Sequence, residues 1–174
     1  VIKGLYFGYF EKKIREAINY EIDTVEISNA VSQIALDGKN DKFISLIENT
    51  LHKLSNRDYI NFDEKYIKLI MISYLMLSNV YMVKSEYEVE NGYIDIALLR
   101  REPIDPDYFA VFEVKYIKKS EYEAYGDKLV EEKKNEATAQ ILKYNTSNEL
   151  KSISKLKKWV IVFTGDKCAV NVEI

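Results

Sequence analysis

The sequence is short of the residues that most often carry metal or nucleophile chemistry. It has one cysteine, Cys168, and one histidine, His52. A single cysteine forms no internal disulfide and builds no cysteine zinc cluster, which fits an intracellular, cytoplasmic setting. A single histidine excludes sites with two or more histidine ligands, such as the His-x-x-x-His zinc proteases, and disfavours Ser-His-Asp catalysis. Only two prolines occur, both between Arg101 and Asp107, and no Pro/Gly/Ser linker, internal repeat or low-complexity tract is visible. Arginine is limited to Arg15, Arg57, Arg100 and Arg101, so bidentate reading of base edges is not expected. Long hydrophobic runs are missing as well. The longest, Leu69 to Leu77, is broken by Ser73 and is too short to span a bilayer, and no signal peptide is evident, so no membrane partner is expected.

What remains is an ordinary single-domain chain. Its 174 residues are 47% apolar and 30% charged, enough to bury a core without staples. The net charge of −3 gives no general attraction to nucleic acid. The chain begins at Val1, inside a helical pattern, which reads as part of a longer protein.

The first 78 residues follow helical periodicity. Leu5, Phe10, Ile14, Ala17 and Ile18 mark one helix. Thr24 is a candidate cap for a second, carrying Val25, Ile27, Ala30, Ile34 and Ala35 and ending at Gly38. Asn40 or Asp41 starts a third with Phe43, Ile44, Ile47 and Leu51 on one stripe, and Asn61 or Asp63 caps a fourth through Leu75. From Val80 the pattern changes. Val83 to Glu90 alternates, Asn91-Gly92 is a hairpin signal, and Tyr93 to Leu99 and Tyr108 to Tyr116 complete a three-stranded meander. Asp127 to Tyr144 reads as a helix with Leu129, Val130, Ala137, Ile141 and Leu142 inward. Trp159 to Phe163 reads as a strand buried on both faces, Gly165-Asp166 as a turn, and Cys168 to Ile174 as a last strand. The expected fold is α/β, an N-terminal helical section on a mixed sheet of about five strands.

Two of these strands carry a charged pattern. Asp95 shares a face with Tyr93 and Ala97, and Glu113 shares one with Lys115. A pairing symmetric about Ile104 sets Asp95 directly opposite Glu113, with Cβ atoms about 5 Å apart. Facing carboxylates repel unless a cation lies between them, and hard oxygen ligands suit Mg²⁺ or Mn²⁺. Glu-x-Lys occurs five times in the chain, but only the copy at Glu113 lies in an apolar strand. Charges there need pairing or a metal. The alternative is an amphipathic strand with a solvated Glu–Lys pair, and the pattern alone leaves both open.

Glu88-Val-Glu-Asn-Gly-Tyr-Ile-Asp95, then Phe112-Glu113-Val-Lys115, then a helix with Gln140-Ile-Leu-Lys-Tyr144, resembles the PD-(D/E)XK nuclease superfamily. Within it, the likeness is to the nuclease-like domain found C-terminal to AAA-type ATPases. Glu64-Lys-Tyr66 fits part of that family's helix motif, Tyr93 stands where an arginine is usual, and the Gln140 to Tyr144 spacing is shorter. The resemblance implies a restriction-endonuclease-like fold, with residues 1–60 as a helical linker or subdomain and 61–174 as the nuclease-like core. It implies metal-dependent hydrolysis of nucleic acid, DNA foremost, with an ATPase domain N-terminal in the full-length chain. Asp95 and Glu113 would ligate Mg²⁺ or Mn²⁺, with Glu64 as a further metal or water partner. Lys115 would position or activate the attacking water, and Gln140 would orient the site. The alternative within the same fold is a catalytically inactive interaction or regulatory module. A plain helix-plus-sheet binding domain is a third reading, in which Asp95 and Glu113 do not converge.

The other features have blander readings. Gln140 also fits a plain helix residue, and Glu64 a first-turn acid favoured by the helix dipole. His52 reads as a surface residue near a helix end, and Cys168 as a small buried strand residue. The fourteen tyrosines read mostly as packing, some as candidates for base stacking. Lys143, Lys151, Lys155, Lys157 and Lys158 form either a solvated loop or a rim that contacts phosphates.

Overall fold

The computed structural model describes residues 23–54, 59 and 62–174. The helix read over Leu5–Ile18, and Asn61 as a cap, lie outside the described residues.

Three helices come first. α1 (Thr24–Asp37) is capped by Asp23 rather than Thr24: its carboxylate accepts from the N–H groups of Val25 and Glu26 at 2.9 and 3.0 Å. Gly38, at φ 63°, closes α1 by donating its N–H to Ile34. α2 (Asp41–Leu51) buries Phe43, Ile44, Leu46, Ile47 and Leu51. Asn40 precedes it, but its side chain makes no cap. It exchanges two 2.8 Å hydrogen bonds with Asn171 instead. α3 (Glu64–Leu77) is capped by Asp63, which accepts from the Lys65 N–H at 2.9 Å, and buries Ile67, Met71, Tyr74 and Leu75.

A five-stranded sheet follows in sequential order: β1 (Met82–Val89), β2 (Gly92–Leu99), β3 (Phe109–Ile117), β4 (Leu156–Thr164) and β5 (Lys167–Glu173). The β3–β4 pair is parallel and the other three are antiparallel, so the sheet is mixed. The crossover from β3 to β4 runs through α4 (Lys119–Tyr125), α5 (Asp127–Tyr144) and α6 (Asn148–Lys151). The last is a short turn of helix that the apolar pattern does not announce. Ala137, Ile141 and Tyr144 are buried on α5, while Leu142, expected inward, is 51% exposed. Trp159 to Phe163 is buried throughout, as a central strand requires.

The β1–β2 turn falls one residue earlier than the Asn-Gly signal suggests. Val89 pairs with Gly92, so Glu90 and Asn91 form the loop, and Gly92 starts β2 at φ 145°. A Cβ there would meet the Tyr144 ring at 3.0 Å, so a strained φ and a close approach both call for glycine.

The sheet is covered on both faces. Ile96, Leu98, Ala110, Phe112, Val114, Trp159, Ile161 and Phe163 share one core with α1, α2 and α3. On the opposite side Ala97 and Val111 pack with Tyr144 and Leu150, and Ile117, Val160 and Val162 pack with Ala137 and Ile141. No helix among the described residues is long and apolar enough to cross a membrane.

Candidate active site

The register of β2 on β3 pairs Ile96 with Phe112, Ala97 with Val111 and Leu98 with Ala110. It is the register symmetric about Ile104, and it brings Asp95 level with Glu113. The ladder itself stops at Ile96. Beyond it the Asp95 carboxylate takes up the free backbone donor, with Oδ2 accepting from the Val114 N–H at 2.8 Å.

The alternation of β2 also breaks at this point. Ile96 and Leu98 pack towards the N-terminal helices, yet Ile94 joins Ala97, Val89 and Tyr144 on the other side. Across β1, Glu86 holds φ 48°, inside a strand and with no Cβ-free excuse for it. By the β1–β2 register Glu86 is the residue opposite Asp95. Unfavourable backbone of this kind is kept where the surroundings over-determine it.

On β3 the alternation is regular. Glu113 and Lys115 fall between Val111 and Ile117, on the face that packs against α5 and α6. All three charged residues are buried: Asp95 is 6% exposed, Glu113 1% and Lys115 7%. Lys115 Nζ donates to Glu113 Oε1 at 3.2 Å, while Glu113 Oε2 is buried with no hydrogen-bond partner. Burial pushes the Glu113 carboxyl up to about 8, the Asp95 charge adds to this, and Lys115 opposes it.

Lys68, on α3, completes the cluster, and the sequence pattern did not single it out. Its ammonium donates to Asp95 Oδ1 at 2.9 Å and Glu86 Oε1 at 2.7 Å, and lies 3.7 Å from Glu64 Oε1. Burial works against the charge, but the bonds to Glu86 and Asp95 win and raise its affinity for the proton. Glu64 is half-buried one helical turn before Lys68. Burial raises its carboxyl, with Lys115 opposing and Asp95 adding, so it stands in the same field as the strand residues. One signal pointed to Lys68: it follows Glu64 at i,i+4 and so shares its helix face. Glu86 was hidden by the turn. A loop centred on Asn91-Gly92 sets Glu88 opposite Asp95, whereas the loop at Glu90-Asn91 sets Glu86 there.

Gln140 lies on α5 between the buried Ala137 and Tyr144, and its Oε1 is buried without a partner. The Tyr144 hydroxyl is pushed up to about 12, first by burial and then by the charges of Glu113, Asp95 and Glu86. Two of the lysines from Lys143 onward, Lys155 and Lys157, are engaged away from this cluster. Lys155 pairs with Asp107 and Lys157 with Glu173, and both ammoniums stand 5.5 Å from the centre of the Tyr108 ring. Lys157 pairs with Ala110 in the sheet, whereas Lys115 pairs with Val162, five residues further along both strands. His52 is exposed at the end of α2, bonded to Asp166.

Among the described residues no group of three or more His, Cys, Asp or Glu side chains is arranged to hold a metal ion. The donors present are the adjacent carboxylates of Asp95 and Glu113. They are hard oxygens, one of them bare and fully buried, and such a pair completed by water fits a small divalent cation better than a soft one.

A family model described as PD-(D/E)XK nuclease superfamily matches residues 62–173. No curated protein matches the chain. The matched span holds Glu64, Lys68, Asp95, Glu113, Lys115 and Gln140 together.

Proposed function

The chain belongs to the PD-(D/E)XK nuclease superfamily, and from that premise we propose that it is a metal-dependent nuclease that hydrolyses phosphodiester bonds, with DNA as the main substrate. Asp95 and Glu113 hold the divalent ion, Mg²⁺ physiologically or Mn²⁺ in its stead, with Glu64 as a further partner from α3. When bound, the ion acts as a Lewis acid and lowers the pKa of a bound water. Lys115 keeps its ammonium beside Glu113 Oε1 and offers its remaining protons to the attacking water and to the charge that builds on the phosphate. Gln140 and Tyr144 close the site from α5 and restrict access of bulk water. The likeness of the motif set to nuclease-like domains that follow AAA-type ATPases supports an ATPase domain N-terminal in the same full-length protein. The matched span starts near the boundary at residue 60 that the motif set implies, while α1 and α2, ahead of it, share a core with the sheet.

One observation carries this reading. Three charged side chains from two adjacent strands are buried together, and one carboxylate oxygen is left without a partner. Such burial is costly and persists where a site needs it. The test is cleavage of plasmid, single-stranded DNA and RNA in millimolar Mg²⁺ or Mn²⁺. Wild type cuts one of these, and a chelator stops it. Asp95→Asn and Lys115→Ala each lower the rate by about a hundredfold or more while leaving the circular dichroism spectrum unchanged. If wild type leaves every substrate intact, the reading fails, and the chain is an inactive module on the nuclease fold.

A further inference from the structure

Resting on the nuclease reading above, we propose that the Lys68 ammonium stands in for a second metal ion, so that the site takes one divalent cation, held by Asp95 and the bare oxygen of Glu113. Two-metal phosphoryl-transfer sites place both ions within reach of shared carboxylate oxygens, about 3.5–4 Å apart. Here the oxygens are already divided. Asp95 Oδ1 accepts from Lys68 at 2.9 Å and Oδ2 from the Val114 N–H at 2.8 Å. Glu113 Oε1 accepts from Lys115 at 3.2 Å, and only its Oε2 is bare and buried.

The charges agree. Glu64, Glu86, Asp95 and Glu113 face two ammoniums, Lys68 and Lys115, which leaves two negative charges for one divalent ion to balance. Lys133, also on α5, is engaged by Glu136 at 2.7 Å. A second ion would have to sit beside the Lys68 ammonium in a buried setting, where like charges repel strongly. Lys68 is itself firmly held. Its side chain is only 13% exposed, and one of its partners, Glu86, keeps an unfavourable backbone angle while bonded to it. Lys68 is thus a positioning residue. It fixes Asp95 and supplies the positive charge on that side of the cluster.

The experiment counts ions. Mn²⁺ is titrated by calorimetry into wild type, Lys68→Met, Lys68→Arg and Asp95→Asn, and the magnetic resonance spectrum of bound Mn²⁺ reports coupling between neighbouring ions. Wild type and Lys68→Arg are expected to bind one equivalent, and Lys68→Met two, with coupling. A wild-type count of two overturns the proposal, as does a Lys68→Met count that stays at one. If Lys68→Met fails to fold, the counts for wild type and Lys68→Arg still decide, since two in either overturns it. Should wild type bind no Mn²⁺, as Asp95→Asn is expected to, the nuclease reading itself fails and takes the proposal with it.

Discussion

Glu113 gathers the electrostatic cost of the site into one carboxyl. Burial and the Asp95 charge both favour its protonated form, so its pKa rises from 4.5 to about 8. A carboxyl whose folded-state pKa is raised stabilises the fold fully below its unfolded pKa, and that contribution is lost as the pH rises through the folded one. The metal-free chain therefore loses stability between about pH 4.5 and about pH 8 on this account. Denaturant midpoints at the two ends of that window are expected to differ more for wild type than for Glu113→Gln, which has no proton to lose. Equal differences would show that Glu113 does not titrate in the window. A divalent cation acts in the opposite sense, since it favours the carboxylate. Cys168 gives a contrasting case. Burial and the nearby Glu48 push its thiol up to about 12. Very little thiolate exists at neutral pH, so a disulfide reagent is expected to label the folded chain on the order of a hundredfold more slowly than the unfolded one. Fast labelling of the folded chain would contradict this. A nucleophilic role for Cys168 has no support.

The elements show what patterning reveals and where it stops. Alternation and symmetry about Ile104 were enough to set Asp95 level with Glu113, because a hairpin register follows from its loop. The α5 helix was equally legible, since Leu129, Val130, Ala137 and Ile141 follow helical spacing. The strain around β1 was not. Neither the positive φ of Glu86 nor the switch of Ile94 to the other face has a compositional sign, because both depend on where β2 leaves β3. The turn shift has a local cause that can be tested. Gly92 sits at φ 145°, where an added Cβ would approach the Tyr144 ring to 3.0 Å. Gly92→Ala is expected to cost about 1–3 kcal/mol, read as a lower denaturant midpoint with an unchanged slope. An unaltered midpoint would show that β1 and β2 shift freely at this end.

At the scale of the whole molecule, the N-terminal helices and the sheet form one cooperative body. Ile34 of α1, Phe43 and Ile47 of α2, and Phe112 and Trp159 of the sheet lie in one core, with the Phe112 and Trp159 rings stacked at 5.3 Å. A polar tie reinforces this packing. Asn40, just before α2, is 3% exposed, and both its amide bonds run to Asn171 of the edge strand β5. Removing one partner leaves the other buried and unsatisfied, so Asn171→Ala is expected to lower stability by about 1–3 kcal/mol. Because the helices and the sheet share one core, the loss moves a single unfolding transition rather than splitting it. The same argument applies more severely to truncation. The family match begins at residue 62, yet a chain started at residue 61 lacks α1 and α2, keeps only α3 on that face, and bares the part of the core that Phe43 and Ile47 cover beside Phe112. An exposed apolar face of that extent leaves helices and strands without fixed packing, which is how a molten globule behaves. The truncated chain is expected to keep far-ultraviolet dichroism, to lose the near-ultraviolet signal of Trp159, and to bind a hydrophobic dye. A sharp, cooperative transition for that fragment would instead make the helical section an accessory to a self-sufficient core, and Asn171→Ala would then matter only in the longer chain.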